Sequence, residues 1–541
     1  MGNERSFIMN AKVKENPAQR VERIKKEKSG LDVLEDIHHY AISGDELNPE
    51  DIDRFKWYGL YSQNRNLQDA DDETQYFMLR VKLVQGSMNV DQMRVIAAIS
   101  KEFARGTANF TTRQDIQFHF IQVRDLPEIF FRLSDIGLTT VFAAGDVPRN
   151  IATCPVAGID HSEIYDVREL VSEVNDYFSG NRTLDNLPRK FKVGVSGCSK
   201  HCMGHEIQDL SFSAVKCENG QILFDVSVGG GLASNKQFAQ HIGYVMPEQI
   251  LEVVRAVSIT YRDHGLRQSR KKARLGHLIN QWGIEKFKAE VEKTVGFKLG
   301  DEVIQDYTPY SKREHFGVHK SKCDGKSYVG CAVNGGFIGD KGLVDLANIL
   351  EKNGATTIKA TPTQNFVVLD VPTENAQSTV EDLARIDIDA NPSPFKARTL
   401  SCTGLKYCKF GISETKDAAI ALAKHLHEKF PDFQETVSIS LNGCPNSCAH
   451  PNIVDIGLIG TKFKDDDGVT VTGFELVLGG NLEGHKSKFG EKMKNFKIKP
   501  EEVNGVVENI ISKYLKSSRK CIILFLKDLI NGDEFTVYKL K

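Results

Sequence analysis

The sequence lacks long hydrophobic runs. None of its 541 residues falls in a stretch of about eighteen uncharged apolar positions, and the start, MGNERSFIMNAKVKENPAQRVERIKKEK, has no apolar stretch of signal-peptide length. A membrane span and a secretory leader are therefore not expected, and the chain reads as cytoplasmic. Charge of either sign is not in excess: 70 Lys and Arg meet 72 Asp and Glu. No global field favours nucleic acid or a membrane surface, so any anion site must be local. A disulfide framework is not expected either, because the cytosol keeps thiols reduced. The eleven cysteines then point to metal or redox chemistry wherever they cluster.

What the chain does have is a repeat. At this length about three or four domains are expected, and 40% hydrophobic content is ample for packing them. From Tyr76, YFMLRVKL alternates like a strand, DQMRVIAAISKEFA has helical periodicity, QFHFIQV alternates again, and PEIFFRLSDIG reads as a helix opened by Pro127 and closed by Gly137. The same order returns at KSYVGCAV, KGLVDLANILEKNG, NFVVLDV and a helix after Pro372. Gln114 falls on Gln364, Gly86 on Gly336 and Gly229 on Gly479 at one offset of 250; Cys198 falls on Cys444, Cys202 on Cys448 and Asp209 on Asp455 at 246. So constant an offset marks an internal duplication, about 80–260 and 326–510, and favours a site where the halves meet. Ahead of it, residues 1 to about 50 are polar and rich in Lys and Glu. They read as an arm over the body with one helix, ended by Gly30.

In the second half five residues separate Cys402 from Cys408 and three separate Cys444 from Cys448. Four thiolates in two pairs can hold a cubane cluster, one per iron. Structural zinc is the main alternative, but its loops usually run from Cys-x2-Cys to Cys-x4-Cys, and the five-residue gap is not usual for them. Gly443 and Pro445 mark a tight turn that presents Cys444 and Cys448 together. In the first half Cys198 and Cys202 repeat the Cys-x3-Cys and Cys154 stands opposite Cys402, but Asp160 occupies the place of Cys408. Relics of duplication are the plainer account; three thiols and a carboxylate around a second cluster are the other. Cys217, Cys323, Cys331 and Cys521 have no partner pattern, as expected of ordinary thiols.

With these motifs the sequence resembles the sirohaem-containing nitrite and sulfite reductase family, from about residue 50 to 510. The resemblance implies an α+β (mixed α/β) fold, internally duplicated about a pseudo-two-fold, with ferredoxin-like half-domains. Its implied parts are an N-terminal arm (1–75), a ferredoxin-like half-domain (76–147), a first sirohaem-binding domain (148–315), a second ferredoxin-like half-domain (316–395) and a second domain for the [4Fe-4S] cluster and sirohaem (396–541). It further implies that Cys402, Cys408, Cys444 and Cys448 ligate the cluster and that Cys448 bridges it to the sirohaem iron. Segment 515–541 carries no motif that can be placed.

Sulfite and nitrite are small anions whose reduction consumes protons, so their site needs fixed positive charge that also donates hydrogen bonds. By resemblance Arg80 (FMLRVKL), Arg149 (DVPRNIA), Lys190 and Lys192 (LPRKFKVGV) surround the substrate. Two residues apart, Lys190 and Lys192 would share one face of a strand. Buried sirohaem carboxylates need neutralising. Arg113 and Gln117 (FTTRQDIQF) and Arg274 (KKARLGHL) are the implied carboxylate or substrate-side contacts, with Asn446 and Gly229–Gly231 as hydrogen-bonding or close-approach positions. No G-x-G-x-x-G fingerprint and no flavin module are present. Electrons must come from a separate protein, ferredoxin by preference. The family's nitrite enzymes tend to have Asn where this chain has Lys192, so KFK favours six-electron reduction of sulfite, with nitrite the alternative and a non-catalytic haem or iron–sulfur carrier the remaining class. The chain is expected to be a monomer.

Overall fold

The N-terminal segment holds more than the one helix expected. The structure, a computed structural model, describes residues 15–198, 202–217, 220–301, 314–465, 467–482 and 486–532. Asn16 caps the helix Pro17–Glu27 with its side chain; a turn at Gly30–Asp32 leads straight into a second helix, Val33–Ser43, and Asn48 caps a third, Pro49–Arg54. The second helix is easily missed because it buries only Val33 and Ile37. Those two side chains and Phe55 join the main hydrophobic core, so the segment is part of the body rather than an arm over it.

A buried ion cluster fixes this attachment. Lys25 donates to the Leu187 carbonyl at 2.9 Å and lies 3.6 Å from Asp146, whose carboxylate also takes Arg270 and, at 3.1 Å, Arg189. Burial would raise the Asp146 pKa, but Arg270, Arg189 and Lys25 hold it far below the usual carboxylate range. Its contribution to stability is therefore fully present above the ordinary carboxylate pKa and lost only as pH falls through the depressed value. Asp146→Asn leaves these cations without their shared counter-charge and is expected to cost about 3–5 kcal/mol. The check is the thermal unfolding transition at neutral pH; an unshifted midpoint would contradict the assignment.

Each half begins with a four-stranded antiparallel unit under helices. The first comprises Leu60–Ser62, Phe77–Val81, Ile116–Ile121 and Asn109–Phe110, with helices Val90–Phe103 and Leu126–Asp135. The second comprises Gly317–Lys320, Lys326–Cys331, Phe366–Pro372 and Thr357–Ala360, with helices Gly339–Asn353 and Ala376–Ala384. Phe77–Val81 buries alternate residues, as its sequence alternation requires. A short strand of the first half, Ser87–Asn89, pairs antiparallel with Thr357–Ala360 of the second, and one core runs through both units. The repeated glutamines mark the pseudo-two-fold. Gln114 Nε2 donates to the Ala360 carbonyl and Gln364 Nε2 to that of Phe110, while their Oε1 atoms accept from Thr153 N and Ser401 N.

The remaining sheets also repeat. Ala152–Thr153, Val193–Ser196, Leu210–Lys216, Ile222–Val228 and Gln240–Val245 form one; Thr399–Ser401, Ile439–Asn442, Ile456–Lys464, Thr470–Leu478 and Glu491–Ile498 form the other. In both, the first three strands are parallel and the rest antiparallel. The parallel strands end at the cysteine turns, the end of such a sheet at which ligands collect. Helices Val503–Lys516 and Ile522–Asn531 pack on the second of these sheets through Val506, Ile510, Leu526 and Leu529, giving a place to residues 515–532 that had no motif. Positions 533–541 lie outside the described residues. Among the described residues no helix is long and apolar enough to cross a membrane.

Candidate metal centre and anion site

Thr399–Ser401 runs parallel to Ile439–Asn442 in register, Ser401 beside Leu441, so the turns holding Cys402 and Cys444 leave the sheet together. Cys402 Sγ accepts from Gly443 N at 3.1 Å. Buried Asn442 ties the next turn, its Oδ1 accepting from Ala449 N at 2.8 Å and its Nδ2 donating to the Cys444 carbonyl. Burial, then the charge of Cys448, pushes the Cys402 thiol up to about 11; burial also raises Cys408 and Cys444, and Cys448 acts on both. No three of the four sulfurs lie at single-ion spacing, within 4.8 Å of one another. Among the described residues, the one group of three or more Cys, His, Asp or Glu donor atoms all within 4.8 Å of one another lies elsewhere. Such spacing suits a cluster in which each iron takes its own thiolate better than it suits tetrahedral zinc. Lys416, buried, with Nζ 2.5 Å from the Gly335 carbonyl, lies near Cys402; burial pushes its pKa down to about 8. It supplies a cation against the thiolate charge, and sequence reasoning missed it.

The predicted cations assemble beside these cysteines. Arg80 and Gln117 are register partners on adjacent strands, and Arg80 Nη2 donates to Gln117 Oε1 at 3.3 Å. Gln117 Nε2 reaches Thr403 Oγ1 at 3.2 Å and Thr112 Oγ1 donates to the Cys448 carbonyl at 3.1 Å, which joins the cation strands to the cysteine turns. Arg149 donates to the carbonyls of Ala143 (3.0 Å) and Gly145 (2.7 Å), and Arg113 Nη1 to Gln208 Oε1 at 2.7 Å. Lys190 and Lys192 precede the strand, which starts at Val193, rather than lying in it. Phe191 between them is fully buried and bridges to Pro148. Burial, then Arg274 and Arg189, pushes Lys190 down to about 8, while Cys448 opposes; Lys192 is pushed further down by burial, Arg113, Lys190 and Arg274.

These residues fit a polyanionic ligand. Among the described residues Arg80, Arg113 and Arg149 have no carboxylate ion pair, and Arg80 Nε, Arg113 Nε and Nη2, and Arg149 Nε are buried without a hydrogen-bond partner. Buried guanidinium donors left open are costly unless a ligand completes them. Arg274 is different, since its Nε and Nη2 grip Asp209 at 3.0 and 2.6 Å, and Asp209 also accepts from Lys192 N at 2.8 Å. Arg274 nevertheless lines a small pocket with Gly229–Gly231, where Gly229 adopts φ +89° and a Cβ on Gly230 would strike the Glu206 and Gln208 carbonyls. Asn446 is exposed and hydrogen-bonds the Cys444 thiol. Tyr61, also missed, places its hydroxyl 3.3 Å from Arg149 Nη2. Burial would raise this phenol, but Arg149, Arg80 and Lys190 bring it down to about 7.

The second half repeats the cradle with fewer cations, Arg398 being paired with Glu314. A cleft beside Cys202 is lined by Thr363, Ser438, Arg398 and Asn481. Thr363, Val367 and Ser438 stand where the first half has Arg113, Gln117 and Lys192. One of two pseudo-symmetric sites has therefore kept its cation set.

Two family models match the chain. The nitrite and sulphite reductase 4Fe-4S domain matches residues 144–299 and 395–520, and the nitrite/sulfite reductase ferredoxin-like half domain matches 69–135 and 320–386. The chain is 35% identical over 520 residues to sulfite reductase (ferredoxin) 1 of Mycolicibacterium paratuberculosis, covering 92% of each. It is 34% identical over 485 residues to a ferredoxin–nitrite reductase of Leptolyngbya laminosa, covering 87% of this chain and 92% of that one. The solved structure of the Mycobacterium tuberculosis NirA protein superposes with a TM-score of 0.90 at 32% identity, covering 96% and 98% of the two chains.

Proposed function

The chain belongs to the nitrite and sulphite reductase family, and from that premise we propose that it is a sulfite reductase taking electrons from an external protein such as ferredoxin. The observation that carries the reading is the cation set Arg80, Arg113, Arg149, Lys190 and Lys192, in which the arginines keep buried donors open and Lys190 feels Cys448. Cys402, Cys408, Cys444 and Cys448 would hold the [4Fe-4S] cluster, and Arg113 with the Gly229–Gly231 pocket would receive sirohaem carboxylates. When bound, the two cofactors would supply the electrons with which an anion is reduced.

The protein's own part is charge and protons. Reducing sulfite to sulfide consumes six electrons, and each of its three oxygens leaves as water with two protons. Arg80 and Arg149 supply permanent charge with directional donors, while Lys190 and Lys192, lowered by burial, can both bind the anion and release a proton. Retention of both lysines supports sulfite over nitrite. Tyr61 adds a donor at neutral pH. It is protonated below about 7, so a step that uses its proton slows as pH rises through that value. Tyr61→Phe is expected to remove this alkaline limb from the pH profile of kcat; a limb that persists unchanged would assign it to another group. The substrate itself is tested by turnover on sulfite and nitrite with one reduced donor.

A further inference from the structure

Asp160, the fourth member of the first-half set by position, is engaged elsewhere. Its carboxylate accepts from the Tyr328 hydroxyl at 2.5 Å and from Ser162 N at 2.7 Å. His315 is the group that meets the thiols. Cys202 Sγ lies 3.0 Å and Cys154 Sγ 3.9 Å from His315 Nε2, and Cys198 Sγ lies 3.9 Å from Cys154 Sγ. All four residues are buried, none more than 8% exposed.

We propose that Cys154, Cys198, Cys202 and His315 bind one structural zinc ion. Zinc takes Cys at about 2.3 Å and His at about 2.0 Å in tetrahedral array, which sets neighbouring donors roughly 3.5–3.8 Å apart. Cys154 Sγ, Cys202 Sγ and His315 Nε2 all lie within 4.8 Å of one another, and Cys198 Sγ, 3.9 Å from Cys154 Sγ, is the adjacent fourth donor that closes on the ion. A cubane spreads its thiolates over four irons, and Cys154 and Cys202, within 4.8 Å of each other and of His315, are closer than that, whereas no three of Cys402, Cys408, Cys444 and Cys448 form such a group. Cys-x3-Cys falls within the usual spacing of structural zinc loops, and three thiolates with one histidine is a known closed ligand set.

The surroundings match. Three thiolates and Zn²⁺ leave one net negative charge, and buried Lys359 stands close enough to Cys154 to feel it. Cys154 and Cys198 come from adjoining strand ends of the first large sheet, whereas His315 leads into Gly317–Lys320 of the second ferredoxin-like unit. The ion thus staples elements of the two halves together, in the pseudo-symmetric counterpart of the iron–sulfur position.

The test is metal content of the purified full-length holoenzyme, expressed with zinc and iron supplied and dialysed against a chelator. About one zinc per chain is expected beside the cluster and haem iron, with zinc K-edge absorption showing three sulfurs at about 2.3 Å and one nitrogen at about 2.0 Å. Cys198→Ser and His315→Ala should each lose most of the zinc while the haem spectrum and cluster iron stay at wild-type values. Zinc retained in both variants would overturn the ligand set. Zinc absent from the wild type would overturn the proposal whatever occupies the site, whether four extra irons with acid-labile sulfide, a single iron or a Cys154–Cys198 disulfide. The wild-type count holds even if a variant fails to fold, and it is independent of whether sulfite or nitrite is reduced.

Discussion

Cys408→Ser and Cys444→Ser are each expected to lose the [4Fe-4S] cluster and, with it, turnover by any external donor. Iron in such a cluster favours the soft thiolate, and a serine hydroxyl is a harder, more basic ligand that binds it poorly. The local structure leaves little room for compensation. Cys444 is buried in a turn fixed by Asn442 on one side and by Asn446 on the other, so no alternative donor swings into place. Cys408 is held by the short helix Gly404–Tyr407, whose Tyr407 ring stacks on buried His119 at 3.9 Å. Both substitutions are nearly isosteric and the hydrophobic core beneath the turns is untouched, so the chain should still fold. The measurements are acid-labile sulfide, iron and dye-linked turnover. Four sulfides per chain with full activity in either variant would rule out the ligand assignment.

Lys192→Asn is expected to lower sulfite reduction far more than nitrite reduction. Lys192 is buried against Arg113, Lys190 and Arg274, with Asp209 as the opposing carboxylate. Asp209 is already gripped by Arg274, which leaves the lysine free to serve an incoming anion. Asparagine keeps a hydrogen-bond donor but deletes the charge and the transferable proton. Sulfite, bulkier and more highly charged, should draw on that second ammonium, whereas nitrite should manage with Arg80, Arg149 and Lys190. A charge-assisted hydrogen bond in a partly desolvated site is worth about 1.5–3 kcal/mol, roughly ten- to a hundred-fold in rate if it acts in the transition state. The ratio of kcat/KM for the two anions, wild type against variant, reads this directly. A constant ratio would remove Lys192 as a discriminator.

Local signals carried well from sequence to structure. Alternation placed Phe77–Val81 and Ile116–Ile121, and the constant offset revealed a duplication that the Gln114 and Gln364 hydrogen bonds make physical. What stayed hidden depends on distant residues. The exchanged strand Ser87–Asn89 is three residues long, too short for any period to show. Helix Val33–Ser43 shows the core only two side chains in a polar setting. Tyr61 and Lys416 look like ordinary surface residues until burial and neighbouring charges are known. His315 is 113 positions from Cys202 and follows no metal-binding spacing, so the sequence offered Asp160 by position instead.

The central claim, that the cation set Arg80, Arg113, Arg149, Lys190 and Lys192 serves sulfite, is tested most directly by steady-state kcat/KM for sulfite and nitrite on the same holoenzyme with one reduced donor. Sulfite is predicted to give the larger value, with sulfide as product. Efficient nitrite reduction to ammonia with only trace sulfite turnover would contradict it.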